Sequence, residues 1–208
     1  MEVPAIERGL LRLWHNRQIK GRGNKIIEIG CNESLCATTL SKLGNLVVGI
    51  DVKPFQPNPY GTKHEFELNF KFIQGDASVI RFDPTFDLGI AISSVEHFGC
   101  GEYGDIKDDD SDIKAMVNLW HGIVPRGVVI MTVPISDREF YTELGYIRKY
   151  DKQALKDRII QGNKIQRFEI VTHPNGPDFV GGPKAFETFD FSDIPYSADI
   201  YLEMVKGD

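Results

Sequence analysis

Residues 25–36 read K-I-I-E-I-G-C-N-E-S-L-C, and this stretch decides the fold. Lys25–Ile29 is a short apolar run of strand type, Gly30 opens a tight turn, and Ser34 stands where a helix begins. Small residues at a helix N-terminus let backbone N–H groups approach a ligand. The next apolar run, 46–50, ends in Asp51, an acid placed to accept both hydroxyls of a ribose. A third run, Phe70–Gln74, ends in Gly75-Asp76, where a second carboxylate can accept from an adenine amino group. Three strand ends then converge on one nucleoside, in the crevice where doubly wound sheets bind their ligands.

The flanking sequence fits such a sheet. Residues 34–43 read as a helix stopped by Gly44, and Phe86–Ile92 as a fourth strand. Residues 112–124 read as a helix with Ile113, Met116, Val117, Trp120 and Val124 on one stripe, and 127–133 as a fifth strand. These strand runs are continuously apolar, as parallel strands covered on both faces are. Pro4, Ile6, Leu10, Leu13 and Trp14 predict an amphipathic N-terminal helix. Residues 151–161 predict a helix capped by Asp151, with Leu155 and Ile159 on one face. Residues 165–172 and Ala198–Val205 alternate like strands. Two stretches carry no regular pattern: 52–69, with Pro54, Pro57 and Pro59, and 173–197, rich in Gly, Pro and Phe. The expected fold class is α/β: a doubly wound, mostly parallel seven-stranded sheet flanked by helices, with the last strand antiparallel.

On these residues the chain resembles the class I S-adenosylmethionine-dependent methyltransferases. The resemblance is carried by E-I-G-C-N-E-S at 28–34, V-G-I-D at 48–51, Q-G-D-A at 74–77, F-D-L-G-I-A-I-S-S-V-E-H-F-G at 86–99 and V-P-R-G-V-V-I-M-T-V-P at 124–134. The stretch S-S-V-E-H-F-G-C-G-E-Y-G-D at 93–105 further resembles a glycan-associated or uncharacterised subgroup. The resemblance implies one methyltransferase domain over 1–208, with an N-terminal helix (1–22), a cofactor-binding core (23–135) and a substrate-side part (136–208). It implies S-adenosyl-L-methionine as cofactor. Glu28 and Gly30 would lie at its methionine end and Asp51 at the ribose, with Asn32, Ser34 and Val52 also among the cofactor-binding residues. Asp76 and Ala77 would edge the adenine, and Ser93 and Ser94 would lie under the sulfonium. The family's second and third turn glycines are here Asn32 and Ser34: Asn tolerates left-handed backbone angles, and Ser caps helices. A dinucleotide or nucleotide-sugar enzyme is the rival reading, but only one glycine of G-x-G-x-x-G is present and Glu33 would face a diphosphate. A non-catalytic methyltransferase-like binding domain is the other.

Methyl transfer to an alcohol needs a base. His97, just after the fourth strand, is the candidate catalytic residue, unless its ring only packs the turn or bonds a backbone carbonyl. His121 reads as structural, and His15, His64 and His173 carry no motif. Glu102, Asp105, Asp108, Asp109, Asp110 and Asp112 crowd one loop; hard cations take such oxygens, but solvated acids before a helix look the same, and no metal is assigned. The loops after the fifth and sixth strands offer Asp137, Arg138, Phe140, Tyr141, Tyr146 and Arg148, then Phe179, Phe186, Phe189 and Tyr196, as acceptor walls or as core plugs.

Composition sets the outer limits. Lys+Arg is 24 against 30 Asp+Glu, a net charge of −6, which argues against a nucleic-acid partner. No apolar run reaches the ~20 residues that span a bilayer, and 1–20 lacks a signal-peptide core. Cys31, Cys36 and Cys100 form neither a disulfide framework nor a zinc set, which fits a cytoplasmic setting. The expected function is O-methylation of a small molecule or glycan.

Overall fold

A computed structural model describes residues 3–32, 34–55, 69–142, 145–172, 177–194 and 198–207. Glu33, Pro57, Pro59, His64, His173 and Tyr196, singled out above, lie outside the described residues. Strand β1 (Lys25–Ile29) pairs in parallel with β2 (Leu46–Asp51) on one side and β4 (Phe86–Ile92) on the other. Beyond β2 lies β3 (Phe70–Gln74), and beyond β4 lies β5 (Ile123–Ile135), both parallel to their neighbours. The far half is antiparallel: β10 (Ala198–Val205) joins β5, β8 (Lys164–Val171) joins β10, and β9 (Phe179–Gly181) joins β8. A separate two-stranded ribbon is formed by β6 (Phe140–Tyr141) and β7 (Arg148–Lys149). The doubly wound sheet is as expected, with order β3-β2-β1-β4-β5-β10-β8-β9. Among the described residues its count is eight rather than seven, because three residues inside the irregular 173–197 stretch pair with the outer edge.

Strand alternation divides the core in two. On one face Ile26, Leu88, Ile90, Val128 and Ile130 pack under α1 (Val3–His15) and α2 (Leu35–Lys42). On the other, Ile27, Ile29, Val129 and Met131 pack under α3 (Ser111–Gly122). Helix α3 ends two residues before the expected 124. Val124 precedes Pro125, whose ring disfavours helical backbone in the residue before it, so the chain turns extended at Ile123. The buried stripe is also rotated: Ala115, Met116, Leu119 and Trp120 face the sheet, whereas Val117 is 51% exposed. Asp151 caps its helix by accepting from the Ala154 amide, 2.7 Å, but after α4 (Lys152–Ala154) the chain widens into a π-helical turn over Leu155–Ile160. The phenylalanines of 173–197 are core plugs and not acceptor walls. Phe179, on β9, Phe186, on α5 (Pro183–Thr188), and the following Phe189 and Phe191 cluster with Phe168 of β8. Helix α1 neutralises two buried sheet carboxylates: Arg8 pairs with Glu169 at 2.6 Å and Arg12 with Glu203 at 2.7 Å.

Candidate functional site

The strand order reverses between β1 and β4, so their carboxyl ends leave a crevice. Gly30 turns the chain there with φ +68° and donates its N–H to the Ile50 carbonyl at 2.8 Å. A Cβ on Gly30 would stand 2.3 Å from Ser94 Cβ, so the turn admits only glycine. The left-handed tolerance of Asn32 goes unused, since Gly30 is the turn's only described residue with positive φ. Ser34, with φ −69° and ψ 124°, occupies backbone open to any residue and caps α2: its Oγ accepts from the Cys36 amide at 3.0 Å. The two missing glycines therefore cost this turn no strain.

Glu28 sits behind the turn rather than on the cavity wall. Its place in β1 points it towards α2, where it is 1% exposed and Oε1 accepts from Ser34 Oγ at 2.6 Å. Oε2 is buried with no hydrogen-bond partner, and burial pushes the carboxyl up to about 7 despite the Ser34 hydrogen bond. Glu28 and Ser34 brace the turn from beneath.

The other predicted residues line one cavity of about 270 Å³: Gly30, Asn32, Asp51, Val52, Asp76, Ala77, Ser93, Ser94 and His97. Asp51 Oδ2 accepts from the Asn32 amide and Oδ1 from the Lys53 amide, both at 2.9 Å. Each carboxylate oxygen keeps a second lone pair for a ligand hydroxyl. Asp76 Oδ1 holds the Ser78 amide at 2.8 Å, and Asn118 of α3 ties the same turn by donating to the Ala77 and Ser78 carbonyls. At the end of β4, Ser93 has φ +43° and donates its N–H to Thr132; its Oγ donates to Glu96 at 2.6 Å. Ser94 Oγ donates to the Ile29 carbonyl at 3.1 Å. His97 Nδ1 lies 2.9 Å from the Tyr146 carbonyl and 3.2 Å from Glu102 Oε2.

The cavity also has walls at Lys53 and Phe98, which the sequence did not mark, and at Gly99, Tyr103 and Asp105 of the glycine-rich acidic loop, where Tyr103 is the alternative base should His97 only pack. The signal for the loop residues was the glycine spacing of 99–104 inside the quoted 93–105 segment; Lys53 carried none. Asp105 spends its carboxylate on the Gly99, Gly101 and Tyr103 amides, Asp108 pairs with Lys114, and Asp112 is held by Arg158 and Tyr150. Arg148, offered above as an acceptor contact, is buried in the same network through Glu139. Among the described residues no three side chains gather as metal ligands. Burial pushes the Cys31 and Cys36 thiols well up, which leaves them inert as nucleophiles beside the turn. His121 bonds the Phe82 carbonyl, a structural role.

No family model matches the chain, and no curated protein matches it significantly. Solved structures do. The chain is similar to the Burkholderia thailandensis 1,6-didemethyltoxoflavin-N1-methyltransferase, solved with 1,6-didemethyltoxoflavin and S-adenosylhomocysteine, at TM-score 0.64 and 12% identity over 100% of this chain and 90% of that one. It is similar to the N-methyltransferase NodS from Bradyrhizobium japonicum, with S-adenosylhomocysteine, at TM-score 0.62 and 12% identity over 99% and 87%. It is also similar to the [4+2]-cyclase SpnF, at TM-score 0.63 and 16% identity over 95% and 80%. The fold is thus the class I methyltransferase fold. Since a cyclase shares it, the chemistry has to be argued from the site.

Proposed function

We propose that this chain is one S-adenosylmethionine-dependent methyltransferase domain that acts on a small-molecule or glycan hydroxyl in the cytoplasm, with His97 as base. The observation that carries the reading is the convergence of Asp51, Asp76 and the Gly30 turn on one cavity. The cavity fits the cofactor: a Gly30 turn packed so closely on Ser94 that only backbone faces the cavity there, two carboxylates for ribose and adenine, and walls with three acids against Lys53, a balance that favours a sulfonium cation. Methyl-transferase neighbours with S-adenosylhomocysteine support the same cofactor. A dinucleotide fits less well, because Ser34 Oγ already takes the first α2 amides that a pyrophosphate would need.

When bound, the cofactor would supply an electrophilic methyl group. Asp51 and Asp76 would orient its nucleoside, with Val52 and Ala77 alongside, while Ser93, Ser94 and the Gly30 turn shape the opposite wall. The Tyr146 carbonyl can only accept, so the His97 Nδ1 facing it carries the proton. In its neutral form a ring with the proton on Nδ1 keeps its Nε2 lone pair, the tautomer that can take a proton from an acceptor hydroxyl. Incubation with methyl-labelled S-adenosylmethionine and a panel of hydroxylated and amine acceptors tests the reading. Transfer to a hydroxyl should fall ~10²–10⁴-fold in His97→Ala with S-adenosylhomocysteine affinity unchanged. Transfer to amines alone, or full turnover in that variant, would remove His97 from the chemistry.

A further inference from the structure

Lys53 and Tyr103 stand on opposite sides of the cavity. Lys53 follows β2, and Tyr103 lies in the loop after β4. Strands β2 and β4 are not neighbours, because β1 runs between them. Their ends are therefore two strand spacings apart, ~10 Å. Yet the Lys53 ammonium lies 3.9 Å from the centroid of the Tyr103 ring. That contact has to cross above the turn that leaves β1, the place where the three strand ends would hold a nucleoside. The far side of Tyr103 is not loose either: its ring packs edge-on against His97, with centroids 5.2 Å apart.

The backbone on both sides is arranged for such a crossing. The Lys53 amide is fixed by Asp51 Oδ1 at 2.9 Å, so the acid proposed to hold the ribose also sets the base of the lysine. Asp105 gathers the Gly99 amide at 2.7 Å and the Tyr103 amide at 3.3 Å, which folds the tyrosine loop back over the cavity. Gly99, Gly101 and Gly104 all have positive φ, at +76°, +78° and +87°. They are not equivalent. A Cβ on Gly99 would be 1.9 Å from the Asp108 carbonyl oxygen, so Gly99 is a packed anchor. A Cβ on Gly101 would find nothing nearer than 3.8 Å, and one on Gly104 nothing within 4 Å. The two uncrowded glycines flank Tyr103, where a segment that swings would need backbone freedom without packing to break.

We infer that Lys53 and Tyr103 form a clasp across the mouth of the cofactor cavity, which must open for S-adenosylmethionine to enter and for S-adenosylhomocysteine to leave. The inference rests on the proposed cofactor. The clasp's closing contact is a cation on an aromatic face, and the residues on either side of it bind the ligand or anchor the loop. A gate differs from an ordinary ligand contact in kinetics: breaking it accelerates entry and exit together, whereas losing a ligand contact accelerates exit alone.

The test is surface plasmon resonance with S-adenosylhomocysteine as the probe over the immobilised chain. Lys53→Met should raise the association and dissociation rate constants together, roughly three- to thirtyfold, with Kd changed far less than either. Tyr103→Ala should do the same, and the double variant should match either single one, since the two residues act through one contact. Lys53→Arg and Tyr103→Phe keep a cation on a ring and should restore wild-type rates. Rates indistinguishable from wild type in Lys53→Met would overturn the clasp, as would faster dissociation with unchanged association, or additive effects in the double variant. Lys53 is half-buried at the cavity wall, so Lys53→Met decides the matter even if Tyr103→Ala does not fold. A wild-type chain that binds no S-adenosylhomocysteine would instead sink the cofactor assignment, and the clasp with it.

Discussion

A carboxyl group with one oxygen bound and the other buried without a partner gives up its proton late. Glu28 is such a group, raised from 4.5 to about 7 by burial. Between those values the folded chain keeps a proton that the unfolded chain has released. Folding stability should therefore fall as pH rises through that window, by about 3 kcal/mol in all. Glu28→Gln keeps an acceptor for Ser34 and has no proton to lose. Urea unfolding from below pH 4.5 to above pH 7 should show a slope in the wild type that flattens in the variant; parallel curves would mean that Glu28 ionises normally. At Asp51, truncation to Ala should cost roughly 2–3 kcal/mol of S-adenosylhomocysteine affinity, measured by calorimetry, because charge-assisted hydrogen bonds are lost. Affinity left intact would take Asp51 out of the ribose site. Gly30, Asp51 and Asp76 were legible because each follows an apolar run, where the parallel fold brings strand ends together. Lys53 and Tyr103 were not, since no local pattern records a contact between residues 50 positions apart. Glu28 was legible as an acid at the turn but not as a brace, because its direction depends on how α2 packs.

The acidic approach to α3 shows how an element's charges are spent. Asp112, fully buried, is held by Arg158 through two nitrogens, by the Tyr150 hydroxyl at 3.0 Å and by Arg148 at 3.4 Å. These partners come from β7, the residue after it and the π-helical turn, and they pin α3 beside the cavity. Asp112→Ala would leave buried Arg148 and half-buried Arg158 with Glu139 as their remaining carboxylate partner, and chemical denaturation should report a loss of roughly 2–4 kcal/mol. A loss within measurement error would mean that the network relaxes into water. Ser34→Ala tests a lighter joint: loss of the α2 cap should cost ~1 kcal/mol. A wild-type melting curve in that variant would show that the cap holds nothing. Helices and inner strands were legible from period and apolar runs. The end of α3 was misread because Ile123 and Val124 prolong its apolar pattern, although Pro125 was there to stop it. The phenylalanines of 173–197 could be sorted into core only once β8 was in place to receive them.

At the scale of the whole molecule, the parallel run of β1 to β4 brings the cavity-lining residues to the carboxyl end of the sheet, and the net charge of −6 sets what can approach. Duplex DNA or RNA should bind weakly at physiological salt in a filter assay; tight, salt-sensitive retention would reveal a basic face. No helix among the described residues is long and apolar enough to cross a membrane. The central claim is that this crevice is built for a sulfonium nucleoside. Titration calorimetry of the wild-type chain with S-adenosylhomocysteine and, separately, with NAD tests it most directly. Saturable one-to-one binding of S-adenosylhomocysteine and no heat with NAD are expected; tight NAD binding with no response to S-adenosylhomocysteine would contradict a crevice built for a sulfonium nucleoside.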